Sequence, residues 1–95
     1  MPASPAPDDE FKTEMQQLLQ GFGRKARAMR ESLGVSQEDF AREIGVHRTE
    51  IGAIERGARE PRLSMLLVLA DGLGVEPGEL VDGLSAPVHR RPRTR

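Results

Sequence analysis

Apolar residues recur along this chain at three- and four-residue intervals, and nowhere do they alternate with polar ones for long. Phe22, Ala26, Met29 and Leu33 predict a helix over about 22–33. Phe40, Ala41 and Ile44 form the inner face of a second helix that Ser36 caps, with Asp39 completing a capping-box pattern. A third, from about His47 to Arg56, buries Ile51 and Ile54 and stops at Gly57. Leu63, Leu66, Leu69, Ala70 and Leu73 place a fourth over about 63–73. Pro77 at a first helical position opens a fifth, which buries Leu80, Val81 and Leu84. Upstream, Phe11, Met15, Leu18, Leu19 and Phe22 share one stripe and predict an extra amphipathic helix over 9–21. Gly21 and Gly23 are expected to kink it or separate it from the next helix. Its apolar stripe must bury against this core or against a second copy of the chain.

One device recurs at the boundaries. Gly-Val occurs at Gly34-Val35, Gly45-Val46 and Gly74-Val75. Glycine accepts the left-handed backbone that ends a helix. The valine after it can pack five positions on as a hydrophobic staple, against Phe40, Ile51 and Leu80. Asp39, Glu50 and Glu79 stand one place before those partners, in a first turn where the helix dipole favours negative charge. The expectation is an all-α domain of five short helices over 22–84, preceded by that extra helix. Residues 1–8, with three prolines among the first seven, and residues 85–95, rich in proline and arginine, are expected to be disordered tails.

Composition narrows the function. A chain of 95 residues is one domain, too small for an ample enclosed catalytic cavity. It has no cysteine, and its two histidines, His47 and His89, are too far apart in sequence to suggest a zinc site. No nucleophile–base pairing or carboxylate cluster has catalytic spacing, so no enzyme, metal or cofactor is expected. No apolar run reaches a membrane span and the first residues do not resemble a signal peptide, which predicts a cytoplasmic protein. The net charge of −1 divides into −3 over 1–20, +1 over 21–60, −3 over 61–84 and +4 over 85–95. Such balance argues mildly against a nucleic-acid partner, but which charges face the ligand decides.

Residues 37–56 carry the most information. Small Ala41 suits the close crossing of two helices, and Gly45 supplies positive φ in the short turn between them. Phe40, Ile44, Val46, Ile51 and Ile54 fill the wedge, so the outer face of the second helix projects as a rod that fits a major groove. The segment from Gly34 to Leu84 resembles a Cro/repressor-type helix-turn-helix domain of the XRE family. The resemblance rests on Ser36-Gln37-Glu38, Ile54-Glu55-Arg56-Gly57, Pro61 after a basic loop and Leu73-Gly74-Val75, and it reaches back through Arg27 and Arg30. His47-Arg48-Thr49 with Ile51 and Ile54-Glu55-Arg56-Gly57 also resembles the short controller proteins of restriction–modification systems.

The resemblance implies roles. Ser36 and Gln37 would hold a phosphate at the start of the second helix, and His47 another at the start of the third. Arg48 would pair with guanine, and Thr49 would suit adenine or thymine. Glu50 would accept from cytosine or merely orient Arg48, and Ala53 would lie one turn on. Arg59 and Arg62, flanking Pro61, would approach the DNA backbone. Arg30 and Glu55 would form a structural ion pair. Gly52 departs from the serine common in the family; it costs the recognition helix up to about 1 kcal/mol relative to alanine, or else permits close backbone approach to DNA.

These readings predict a double-stranded-DNA-binding transcriptional regulator, a repressor, acting as a homodimer on an inverted repeat. Its recognition helices should lie about 34 Å apart. Leu80, Val81 and Leu84, or the N-terminal stripe, would make the dimer contact. No sensing domain fits in the remaining length, so regulation would come from concentration, dimerisation or a partner. The alternative is an antitoxin-like or bridging protein whose apolar stripe and acidic segments hold another protein; a co-purifying partner would favour it.

Overall fold

The structure is a computed structural model, and it describes residues 7–87. Five helices follow one another: α1 (Pro7–Ser32), α2 (Gln37–Ile44), α3 (Arg48–Glu55), α4 (Leu63–Leu73) and α5 (Pro77–Val81). Within two residues of each helix end stands a glycine with φ between 71° and 79°: Gly34, Gly45, Gly57, Gly74 and Gly83. Among the described residues no other residue type takes a positive φ. Backbone of this hand disfavours any side chain with a Cβ, so these glycines place the helix ends. At the other ends, Ser36 Oγ accepts the Asp39 N–H at 3.0 Å. The reciprocal half expected from Asp39 is not seen; its carboxylate takes Arg42 Nη1 at 3.3 Å instead. That reciprocal bond forms on α5, where the Glu76 N–H donates to Glu79 Oε2 at 2.7 Å.

The expected break between residues 21 and 22 does not occur. α1 runs unbroken through 26 residues, about 39 Å of helix. A Cβ on Gly23 would run into the backbone carbonyl oxygens of Glu55 and, at 2.5 Å, Ile54. The missing side chain is thus the reason α1 can lie against the last turn of α3, and packing there outweighs the poor helix propensity of glycine. Pro7 and Asp8, assigned to a disordered tail, belong to this helix. The remainder of the expected N-terminal tail, residues 1–6, lies outside the described residues, as does 88–95 of the C-terminal one; Ser85–Pro87 carry no regular structure.

α1 packs on α3, α4 and α5, α2 on α3 and α4, and α4 on α5. Phe40, Ile51, Ile54, Leu69 and Leu80 are the largest fully buried side chains, joined by Phe22, Ala26, Ala41, Ala70 and Leu73. Three assignments to the inner faces, Leu33, Leu63 and Val81, are corrected. Leu33 is 54% exposed because α1 closes at Ser32 and the turn into Gly34 takes it off the buried stripe. Leu63, the first residue of α4, is 73% exposed. Leu80 is wholly buried in the core, so it cannot be a contact between two copies; Val81, expected to be buried, is 43% exposed and Leu84 half-buried.

Candidate nucleic-acid interface

α2 and α3 are joined by only Gly45, Val46 and His47. α3 has two unlike faces. Ile51, Ile54 and Glu55 are buried, whereas His47, Arg48 and Thr49, at its N-terminus, are exposed. Ala53 and Glu50 are half-buried. The inner face is locked polar as well as apolar. Arg30 on α1 donates from Nε to Glu55 Oε2 at 2.7 Å and from Nη2 to Glu55 Oε1 at 2.9 Å. Its Nη1 reaches the Val35 carbonyl at 2.7 Å, in the turn before α2. Gln37 Nε2 donates to the same Glu55 Oε1 at 2.9 Å. A buried carboxylate is tolerable only when its lone pairs are met, and here the Arg30 guanidinium from α1 and the Gln37 amide from α2 meet them. The hydrogen bond to Glu55 raises the Arg30 pKa above the ordinary arginine value against the opposing effect of burial. The expected ion pair is present, and it clamps α1, α2 and α3 at one point.

The other polar residues are distributed as follows. Ser36 spends its oxygen on capping α2, and Gln37 is half-buried with one amide proton committed to Glu55. Glu50 does not orient Arg48. Its Oε2 accepts from Arg59 Nη1 at 2.6 Å, so the loop after α3 is tied to α3 itself. Arg62 stands at the N-cap of α4 without a side-chain cap bond. A notch of about 220 Å³ lies between α2 and α3, lined by Gln37, Arg48, Thr49, Gly52 and Arg56. Arg56 was absent from the sequence-derived site. Its signal was the four-residue spacing of Arg48, Gly52 and Arg56, which puts all three on one stripe of α3. Among the described residues no group of three His, Asp or Glu side chains could hold a metal ion. Among the same residues no helix is long and apolar enough to cross a membrane.

Two helices joined by a minimal glycine turn, the second exposing its polar first turn over a locked scaffold, define a helix-turn-helix protein. Residues 27–80 match the family described as Helix-turn-helix, and the chain belongs to it, with XRE-type character. That family consists of DNA-binding transcription regulators. The chain is 44% identical over 62 residues to Control protein C.BamHI of Bacillus amyloliquefaciens, covering 64% of this chain and 76% of that one. It is 39% identical over 59 residues to the uncharacterized HTH-type transcriptional regulator YazB of Bacillus subtilis, covering 62% and 86%. Two crystal structures are similar. The restriction-modification controller protein C.AhdI from Aeromonas hydrophila has a TM-score of 0.64 at 42% identity, over 65% of this chain and 94% of that one. The hypothetical transcription factor NHTF from Neisseria has a TM-score of 0.64 at 32% identity, over 92% and 88%.

Proposed function

We propose that this protein is a sequence-specific regulator that inserts α3 into the major groove and represses transcription as a homodimer on an inverted repeat. The observation that carries this reading is the exposed turn His47-Arg48-Thr49 on a helix whose opposite face is held by Ile51, Ile54 and the Arg30–Glu55 pair. Arg48 and Thr49 read base edges, with Ala53 one turn further on. Ser36, Gln37, His47 and Arg62 face the phosphate backbone. Arg59 approaches the phosphate backbone, with Glu50 bound to it and partly neutralising its charge. One eight-residue helix covers too few base pairs to single out a site, which is the reason for two copies about 34 Å apart. Val81, Leu84 and the exposed Leu63 line an open apolar groove of about 430 Å³, which supports association there. Relatives named as a control protein and as a restriction-modification controller protein support a regulatory role.

Selection of duplexes from random DNA tests this reading. The protein should recover an inverted repeat, and Arg48→Ala should lose about 1–3 kcal/mol of discrimination at one position in each half-site. Gln37→Ala should weaken all duplexes alike. Recovery of no sequence, or equal behaviour of both variants and the parent, overturns the reading.

A further inference from the structure

Glycine is, proline aside, the residue least suited to a helix interior, and Gly52 lies in the middle of α3. Unlike Gly23, it does not mark a crossing of two backbones. Beyond the helix's own backbone, a Cβ there would meet only Arg56 Nη1 at 3.0 Å and Gln37 Oε1 at 3.7 Å within 4 Å. The space the side chain leaves is occupied by a guanidinium. Side chains of a helix lean toward its N-terminus over the residue four places earlier, which carries Arg56 onto Gly52. Arg56 thereby enters the notch that Gln37, Arg48 and Thr49 also line.

Its charge is also uncommitted. Arg27, Arg30, Arg42 and Arg59 each face a carboxylate. Arg56 has no hydrogen-bonded or ion-pair partner among the described residues. A guanidinium drawn back onto Gly52 lies one helical turn beyond Arg48, the residue proposed to read base edges. It shares the notch with Gln37, the residue that faces the phosphate backbone in the proposed docking.

We infer that Arg56 is a further DNA-contacting residue that grips one phosphodiester, and that glycine at position 52 is there to seat it. The inference rests on the regulator reading above and adds to it a residue and the ligand chemistry it takes. A side chain at position 52 displaces the guanidinium, so Gly52 is a positioning residue and Arg56 the contact.

The test uses the full chain, a duplex recovered by selection with the parent protein, and a duplex of shuffled sequence. Affinity is measured across a salt series. Arg56→Gln should weaken both duplexes about tenfold and reduce the slope of log affinity against log salt by about one. Arg56→Lys should restore the slope. Gly52→Ala should weaken binding in the parent background but not in Arg56→Gln, a coupling that a purely structural role for glycine would not produce. Thermal melting of each variant confirms that the domain is folded. An unchanged slope for Arg56→Gln overturns the inference, as does a loss confined to one base position or an equal effect of Gly52→Ala in both backgrounds. A parent that selects no duplex overturns the regulator reading itself, whereas a parent that selects one while Arg56→Gln keeps its slope overturns this inference alone.

Discussion

Glu50 Oε2 and Arg59 Nη1 stand 2.6 Å apart, joining the first turn of the recognition helix to the loop that leads into α4. Both residues were candidates for contact with DNA, one with a base and one with a phosphate. In the unbound protein they neutralise each other. With Arg59 largely exposed, the pair adds little to stability, under about 1 kcal/mol. Glu50→Gln should therefore leave the urea midpoint nearly unchanged. It should strengthen binding to every duplex and steepen the salt dependence by about one, because a negative charge goes and a cation is freed. A loss of discrimination at one cytosine instead would mean that Glu50 reads that base.

The Arg30–Glu55 pair is a different case, because its side chains are 9% and 4% exposed. Removing one partner strands a buried charge. Arg30→Met should cost about 3–5 kcal/mol in urea denaturation, and Arg30→Met with Glu55→Leu should recover part of it. The sign with pH follows from the raised Arg30 pKa. A cation whose folded value is raised contributes fully below its unfolded value and loses that contribution only as pH climbs through the folded one, in strong alkali. The cost of Arg30→Met should accordingly be the same at about pH 7 and about pH 9.

Gly21 and Gly23 separate two roles for the same residue type. Gly23→Ala drives a Cβ into the carbonyl oxygens of Ile54 and Glu55 and should cost about 1–3 kcal/mol. At Gly21 the new methyl meets Leu84 Cδ2 at 3.1 Å, the end of a flexible side chain. The gain in helix propensity, up to about 1 kcal/mol, offsets that contact, so Gly21→Ala should be close to neutral. Equal urea midpoints for the two variants would contradict the packing seen at the α1–α3 crossing.

Leu80 and Val81 are neighbours with opposite surroundings. Leu80→Ala should destabilise the fold by about 2–5 kcal/mol, as for other buried leucines. Val81→Asp, on the exposed side of α5, removes no core contact and should lower the melting temperature only by the stabilisation that association supplies. In analytical ultracentrifugation it should shift the proposed dimer toward monomer.

Much of the fold was legible because its signals are local. Positive φ at Gly34, Gly45, Gly57 and Gly74 is demanded by the turn each one closes, and the spacing of Phe40, Ile51, Ile54 and Leu69 by the helix each one lines. Arg30 and Glu55 were paired through family resemblance, which carries tertiary information in advance. Two of the differences share one cause, contacts between residues distant in the chain. Gly23 looked like a helix breaker because its chain neighbours say nothing about α3. Leu80, Val81 and Leu84 read as one apolar group because periodicity does not tell which of three adjacent sites α4 covers.

From order and spacing alone came α2 to α5, the glycines that close them and a polar turn beginning at His47, since backbone conformation and amphipathic period depend on residues within a turn or two; the unbroken run of α1 did not. Which glycine packs, which acid faces which arginine, and whether Arg56 lies in the notch depend on atoms brought together from residues far apart in the chain. Those contacts arise from the angles at which α1, α2 and α3 cross, so they were decided only once the helices had met.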